Sequence, residues 1–216
     1  MSHTQFGHRL LMRYLKKLSV TALATTAILG AIAAPAANAK SHPVRSPIDS
    51  KTCKTITKLA NEGKPVPDPS ILHDEDYVKP YCRDGVLKYK VADNFPYREQ
   101  LDAAVADWNQ ALGGKASLKE VKPSEADDDT ISIIYNPDRR GYVQGSAYPD
   151  HKLVSIKTPN ATYPKALQGT IAHELGHMMG AGHSCAGALM AGANQNPISY
   201  YVTPLDVAAI IQGQFD

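Results

Sequence analysis

Apolar and polar positions alternate in several short stretches of the chain, and each stretch predicts a β-strand. Val86–Val91 alternates apolar and polar residues and predicts a half-buried strand. Residues 130–135 are apolar enough for a strand that is buried on both faces. Weaker strands are predicted at 117–121, 143–148 and 153–157.

Helical spacing of apolar residues separates these strands. Residues 96–112 carry an apolar face and end at a pair of glycines, and 164–180 repeat the pattern. A third helix is predicted from Thr203, where Asp206 stands at the capping-box position and Pro204 takes the first helical position. Strands with inserted helices predict a mixed α/β domain over residues 83–216.

The first 39 residues have the composition of a signal peptide. A basic stretch is followed by an apolar run over 20–34 and by Ala37-Asn38-Ala39, where a signal peptidase could cut before Lys40. We therefore expect a secreted protein that is cleaved near Ala39 and could associate with the cell surface. An uncleaved N-terminal anchor is the alternative, although the run is short for a membrane span.

Removing this segment changes the charge of the chain. Four of the 23 basic residues and none of the 21 acidic residues lie in it, which leaves 19 basic residues and a formal charge of −2. This charge gives no indication of a nucleic-acid surface. No later stretch could cross a bilayer, so we expect neither a nucleic-acid partner nor stable membrane insertion, and we expect a monomer.

Residues 40–82 are polar and rich in proline, with a short helical pattern at 53–61. They predict a propeptide or a loosely packed N-terminal arm. Of the three cysteines, two form a disulfide by default in an oxidising compartment, and three pairings are open. Cys53 with Cys82 is favoured because both precede the main domain, which leaves Cys185 as a packing residue.

The chemistry of the chain is concentrated at residues 173–183, which read HELGHMMGAGH. On a helix, His173 and His177 are four residues apart and leave the same face, so both imidazoles can hold one ion. Gly180 can turn the chain back in a left-handed conformation and bring His183 to the same ion. Three histidines leave a fourth position open, which is typical of a catalytic Zn²⁺ site.

Glu174 is one residue along from the first ligand and would reach a water molecule without binding the metal itself. Zinc lowers the pKa of such a water and polarises a peptide carbonyl, while Glu174 acts as general base and passes the proton to the leaving amine. The sequence therefore predicts a zinc-dependent endopeptidase. A secreted zinc-containing binding module with little or no turnover is the alternative, and a wall-associated structural protein is disfavoured because no repeats occur.

The motif HELGHMMGAGH resembles the signature of the metzincin zinc peptidases. Met190, within Gly-Ala-Leu-Met-Ala, is similar to the methionine turn of that family, and Ser184 together with residues 205–212 resembles its matrixin branch. The resemblance implies a twisted, mostly parallel five-stranded sheet with an antiparallel edge strand at 143–148. It also implies an active-site helix and a small C-terminal subdomain.

The same resemblance implies where a substrate would lie. The edge strand could bind an extended peptide by backbone pairing through Gly145, Ser146, Ala147 and Tyr148. Residues after the methionine turn, including Ile198, Tyr200 and Tyr201, would line a side-chain pocket, with core packing as the alternative for the two tyrosines.

Three features of the matrixin branch are less well matched. A cysteine switch at Cys82 is disfavoured against a disulfide or a free thiol, because little chain separates Cys82 from the first strand. For a second, structural zinc, His151 with Asp150 is the obvious candidate, although solvated loop residues are the favoured interpretation. The acidic run 127–129 could contact Ca²⁺, but a solvated loop is again favoured.

Overall fold

The β-strands form a mostly parallel sheet with one antiparallel edge strand. In this computed structural model, residues 48–73, 82–137, 144–157, 163–192 and 194–214 are described. Their strands are β1 (Cys82–Arg83), β2 (Val86–Val91), β3 (Ser117–Glu120), β4 (Ile131–Tyr135), β5 (Gly145–Tyr148) and β6 (Leu153–Ile156). The main sheet has the order β3-β2-β4-β6-β5, and β1 adds a short antiparallel pair to the start of β2.

The register of the sheet places its apolar residues on one face. Tyr89 pairs with Ile131, and Ile133 pairs with Val154, so these side chains point the same way from three parallel strands. All four are at most 3% exposed, and this face is the core of the domain. At the edge, Gly145 lies opposite Ile156 and therefore belongs to the same face.

Four α-helices accompany the sheet among the described residues. They are α1 (Ser50–Asn61), α2 (Arg98–Leu112), α3 (Pro164–Met178) and α4 (Pro204–Gln214). The helix α2 ends at Gly113, which adopts the left-handed conformation that the glycine pair predicts. It packs along α3, and the indole N–H of Trp108 donates to the carbonyl of Ala172 at 2.9 Å.

The segment before the sheet is folded onto the C-terminal part of the domain. The side chain of Asp49 caps α1, and α1 packs against α4. Leu72 is fully buried, and its carbonyl accepts the N–H of Gly182 at 2.8 Å. A helix is therefore present where the sequence predicts only a short helical pattern, and residues 48–73 pack as part of the domain.

The prediction of a mixed α/β domain with a five-stranded, mostly parallel sheet and an antiparallel edge strand is confirmed. The edge strand was predicted at 143–148; 145–148 form β5, and Val143 lies outside the described residues. The division at residues 39 and 82 stays a prediction, since residues 1–47 and 74–81 lie outside the described part. Within that part, no helix has the length and apolar character needed to span a membrane.

Candidate metal centre

The three histidines of the motif come together at the end of α3. His173 and His177 lie one turn apart on α3, and their ring centroids are 4.7 Å apart. The ring of His183 lies 5.4 Å from the first and 4.9 Å from the second. Each of the three offers a ring nitrogen within 4.8 Å of the other two, so one metal ion could be shared by all three.

Gly180 brings the third histidine to this point. Its φ of +98° lies in the region that favours glycine, and the N–H of Ala181 reaches back to the carbonyl of Gly176 at 3.0 Å. The helix therefore ends at Met178 and the chain reverses toward His183, which is the turn that the sequence predicts. His183 is more exposed than the two helical histidines and faces the cleft.

Backbone carbonyls fix the orientation of the two helical imidazoles. The Nδ1 of His173 donates to the carbonyl of Leu189, and the Nδ1 of His177 donates to the carbonyl of Ala181, both at 2.7 Å. Since a carbonyl only accepts, Nδ1 carries the proton in each ring and Nε2 presents a lone pair. Burial lowers the pKa of His173 to about 4 and that of His177 well below its usual value, so both rings are neutral at pH 7.

These residues fit a zinc ion. The two Nε2 atoms of His173 and His177 lie 3.1 Å apart with lone pairs on both, an arrangement that a cation between them would stabilise. Two nitrogens bound to a tetrahedral zinc at about 2.0–2.1 Å would lie roughly 3.4 Å apart, which is close to this distance. Three imidazoles with no thiolate match the ligands of an open zinc site.

Glu174 lies beside this group and is 8% exposed. Burial raises the pKa of its carboxyl to about 7, against the opposing effects of the Ala147 N–H, which donates to it, and of the positive charge of Lys157. A β-carbon on Gly145 would lie 2.8 Å from the Cγ of Glu174, so only glycine lets the edge strand approach this closely. A carboxyl with such a pKa is suited to accept a proton near neutral pH.

The turn that carries Met190 is held from two sides. Met190 is fully buried, and its sulfur lies against Gly176 of α3. The carboxylate of Asp206 accepts the N–H groups of Leu189 at 3.0 Å and of Met190 at 2.9 Å. Asp206 also accepts from the N–H and hydroxyl of Thr203, so the predicted cap of α4 has a second role that the sequence did not indicate.

A cleft of about 800 Å³ runs past the histidines between β5 and the segment after Met190. All four predicted edge-strand residues line it, namely Gly145, Ser146, Ala147 and Tyr148. Ile198 and Tyr200 also line it, and Tyr200 packs directly on Gly169 of α3. Tyr200 and Tyr201 are 47% and 46% exposed, so neither is a core residue, and Tyr201 lies outside the lining of the cleft.

The predicted pairing of Cys53 with Cys82 is wrong. Cys53 forms a disulfide with Cys185, across 132 residues of sequence, and Cys82 is a buried free thiol. The packing of α1 against the C-terminal part of the domain brings Cys53 to the loop after His183, whereas Cys82 begins a strand of the sheet. The two cysteines that are closest in sequence therefore do not pair with each other. Cys185, which was interpreted as a packing residue, is a partner in the disulfide.

The thiol of Cys82 is not grouped with the histidines. It is buried, and burial raises its pKa to about 11. The group of potential metal ligands found in the described residues consists of His173, His177 and His183, so Cys82 is not placed with it.

Neither of the additional metal sites considered from the sequence gains support. The carboxylate of Asp127 is engaged by the side chains of Lys88 and Thr130, which leaves Ca²⁺ unsupported. His151 is exposed in a short turn next to Asp150, with its ring 6.4 Å from that of Tyr148. Within the described residues, these side chains form no group of three ligands.

Comparison with known proteins gives a remote structural likeness. No protein-family model matches the sequence, and no curated protein matches it. Among solved structures, the chain is similar to a zinc-dependent peptidase from Methanocorpusculum labreanum (strain Z). The TM-score is 0.39 with 12% identity, over 58% of this chain and 100% of the other. A likeness at this level carries no functional argument, so any assignment must rest on the residues of the site.

Proposed function

We propose that the protein is a secreted zinc-dependent endopeptidase related to the matrixin branch of the metzincins. The observation that carries the proposal is the position of buried Glu174, between three converging histidines and an edge strand that lines an open cleft. Such a set of ligands with a neighbouring carboxyl is suited to hydrolysis rather than to a structural metal site.

Each residue of the site would have a separate role in hydrolysis. His173, His177 and His183 would hold the metal, with the first two kept as neutral ligands by their carbonyl partners. When bound, zinc supplies Lewis-acid polarisation of the peptide carbonyl and acidifies water. Glu174 would accept the proton of the attacking water and give it to the leaving amine.

The edge strand β5 would orient the substrate. The carbonyl of Gln144 accepts the N–H of Lys157, so the backbone groups of 144 point toward β6. In an antiparallel ladder consecutive residues point to opposite sides, and the groups of Gly145 and Ala147 therefore point toward the open edge. The N–H of Ala147 donates to Glu174, so an extended peptide could pair with the remaining groups of this edge and place its scissile bond beside Glu174.

Secretion is part of the same proposal. The N-terminal 39 residues have the pattern of a signal peptide, and a disulfide such as Cys53–Cys185 is typical of an oxidising compartment. We propose a monomer that acts on peptides or proteins, outside the cell or at its surface. Residues 48–73 would stay with the active domain, because they pack into it and are linked to it by the disulfide.

The test compares the zinc-loaded protein with two variants on casein and gelatin. Cleavage by the wild type, its loss in Glu174→Gln with one zinc retained, and the loss of zinc in His183→Ala would support the proposal. Replacement of a general base lowers kcat by about 100-fold or more. A wild type that binds zinc and cleaves nothing would favour the zinc-containing binding module instead. Full zinc in His183→Ala would contradict the ligand assignment.

A further inference from the structure

A nearly buried lysine lies behind the edge strand of the cleft. Lys157 directly follows β6 and is 9% exposed. Its ammonium group donates to the hydroxyl of Ser146 at 2.7 Å and to that of Tyr148 at 3.3 Å, and it lies 5.7 Å from the centre of the Tyr148 ring. None of the ion pairs between described residues includes Lys157.

A lysine in this position is not needed for stability. Burying an ammonium group removes its hydration, and two hydroxyl groups and a ring face replace that hydration only in part. A methionine of similar length would fill the same space without this cost. The charge of Lys157 is therefore better explained by an effect on the strand that it contacts.

The hydrogen bonds of Lys157 lead to the open edge of β5. The hydroxyl of Ser146, which accepts from Lys157, donates to the carbonyl of Gly145 at 2.7 Å. That carbonyl belongs to the residues whose backbone groups point away from β6, toward the cleft. The charged ammonium group that begins this series of two hydrogen bonds polarises the bond from the Ser146 hydroxyl to the Gly145 carbonyl and makes it more directional.

The opposite face of the same short strand is in contact with Glu174. The backbone of Gly145 packs against Glu174 and Thr170, and the N–H of Ala147 donates to the carboxyl of Glu174. The positive charge of Lys157 also acts on Glu174 through the strand. The four residues of β5 thus lie between a buried cation and a buried carboxyl.

We infer that Lys157 is a positioning residue. Through Ser146 it fixes the carbonyl of Gly145 and holds β5 in the alignment that an extended peptide needs to pair beside Glu174. This inference rests on the proposed function for the identity of the ligand. The effect on the strand itself is independent of catalysis.

The experiment uses Lys157→Met, Lys157→Arg and Ser146→Ala, with Lys119→Met on the opposite edge strand as a matched control at an exposed lysine. Amide hydrogen exchange is measured on the metal-free protein over residues 144–157. Cleavage is then measured on a long peptide that spans the cleft and on a short chromogenic substrate that carries only the residues flanking the scissile bond. Melting temperature and zinc content are recorded for every variant.

We expect Lys157→Met to keep its melting temperature and zinc while the exchange of the β5 amides rises about 10-fold or more. Cleavage of the long peptide falls about 10- to 100-fold, mainly through KM, and cleavage of the short substrate changes little. Ser146→Ala shows a smaller loss of the same kind, Lys157→Arg restores most of it, and Lys119→Met behaves as the wild type.

Two results would overturn the inference. Unchanged exchange in Lys157→Met would mean that the lysine does not hold the strand. Equal losses on the long and short substrates with a lower melting temperature would mean that it only stabilises the fold. If the wild type cleaves neither substrate, the proposed peptidase function fails, and the exchange measurement alone then decides whether Lys157 positions β5.

Discussion

The side chain of Met190 occupies the space that a β-carbon on Gly176 would take. The same β-carbon would lie 3.1 Å from the Cζ2 of Trp108, so the close approach of the methionine turn to α3 requires a glycine. Gly176 directly precedes His177, and the contact therefore links the packing of the turn to the position of this proposed metal ligand.

Gly176→Ala should destabilise the domain. Alanine in a helix interior is favoured over glycine by about 1 kcal/mol, but displacing Met190 and Trp108 from a packed core costs roughly 1–3 kcal/mol. We expect the packing cost to prevail and zinc affinity to fall. Urea unfolding and zinc titration measure both effects, with Lys165→Ala at an exposed position of α3 as control. A variant more stable than the wild type would show that the turn carrying Met190 can move away from α3 at little cost.

Asp206→Ala should also destabilise the domain, because it removes the carboxylate that holds the methionine turn. Asp206 is fully buried and accepts the N–H groups of Leu189 and Met190, which alanine would leave without an acceptor. The loss should be roughly 2–6 kcal/mol of unfolding free energy, because each of these two buried unpaired groups costs about 1–3 kcal/mol. Asp93→Ala, at an exposed site, is the control. Similar unfolding midpoints for the two variants would argue that water replaces the carboxylate.

Removing the disulfide should weaken the link between α1 and the loop after His183. We expect Cys53→Ala/Cys185→Ala to lose about 2–5 kcal/mol of unfolding free energy. Reductant should destabilise the wild type and have no effect on the double variant, while Cys82→Ala should respond as the wild type does. The measurement is urea unfolding with and without reductant. Identical curves for wild type and double variant would mean that the link contributes nothing.

The same disulfide gives a test of whether the N-terminal segment is lost on maturation. If a protease cuts within residues 74–81, the fragment that contains Cys53 should remain attached until reductant is added. Gels run with and without reductant, followed by mass spectrometry of the bands, would show this. An active form that lacks residues 48–73 under non-reducing conditions would contradict the integral role of this segment.

Cys82 should be unreactive in the folded protein and should make stability depend on pH. Burial raises its pKa from 9.0 to about 11, so the folded thiol stays protonated where the unfolded thiol ionises. The unfolding free energy should then fall as pH rises from about 9 to about 11, and this contribution is fully present below pH 9. Iodoacetamide labelling followed by mass spectrometry, and unfolding of the wild type against Cys82→Ala, measure the two effects. Rapid labelling of the folded protein at pH 8 would contradict the burial.

Local rules were sufficient for one strand of the sheet and for the convergence of the three histidines, whereas the arrangement of the sheet was implied by the family resemblance. Val86–Val91 was predicted with its observed bounds because its alternation reflects one buried face. The end of α3 followed from Gly180, since a left-handed turn is a property of that residue itself. The spacing of the motif predicts that His173, His177 and His183 come together, because helix geometry places the first two on one face and a single turn brings back the third.

Contacts between distant segments were not predictable from such rules. Cys53 reaches Cys185 only because α1 packs on α4, and nothing near Cys53 in the sequence indicates that packing. The second role of Asp206 depends on a loop that precedes it by 16 and 17 residues. In the sequence, Lys157 is the polar last residue of a predicted strand. It is buried because β5 pairs beside β6, which the strand pattern alone does not indicate.

The packing of α1 on α4 also constrains the order in which the chain can mature. Residues near the N-terminus of the domain have their partners near its C-terminus, as Leu72 with Gly182 and Val66 with Gln212 show. At typical translation rates, more than 100 residues take roughly ten seconds to be made. The helix α1 therefore stays undocked until α4 has been synthesised.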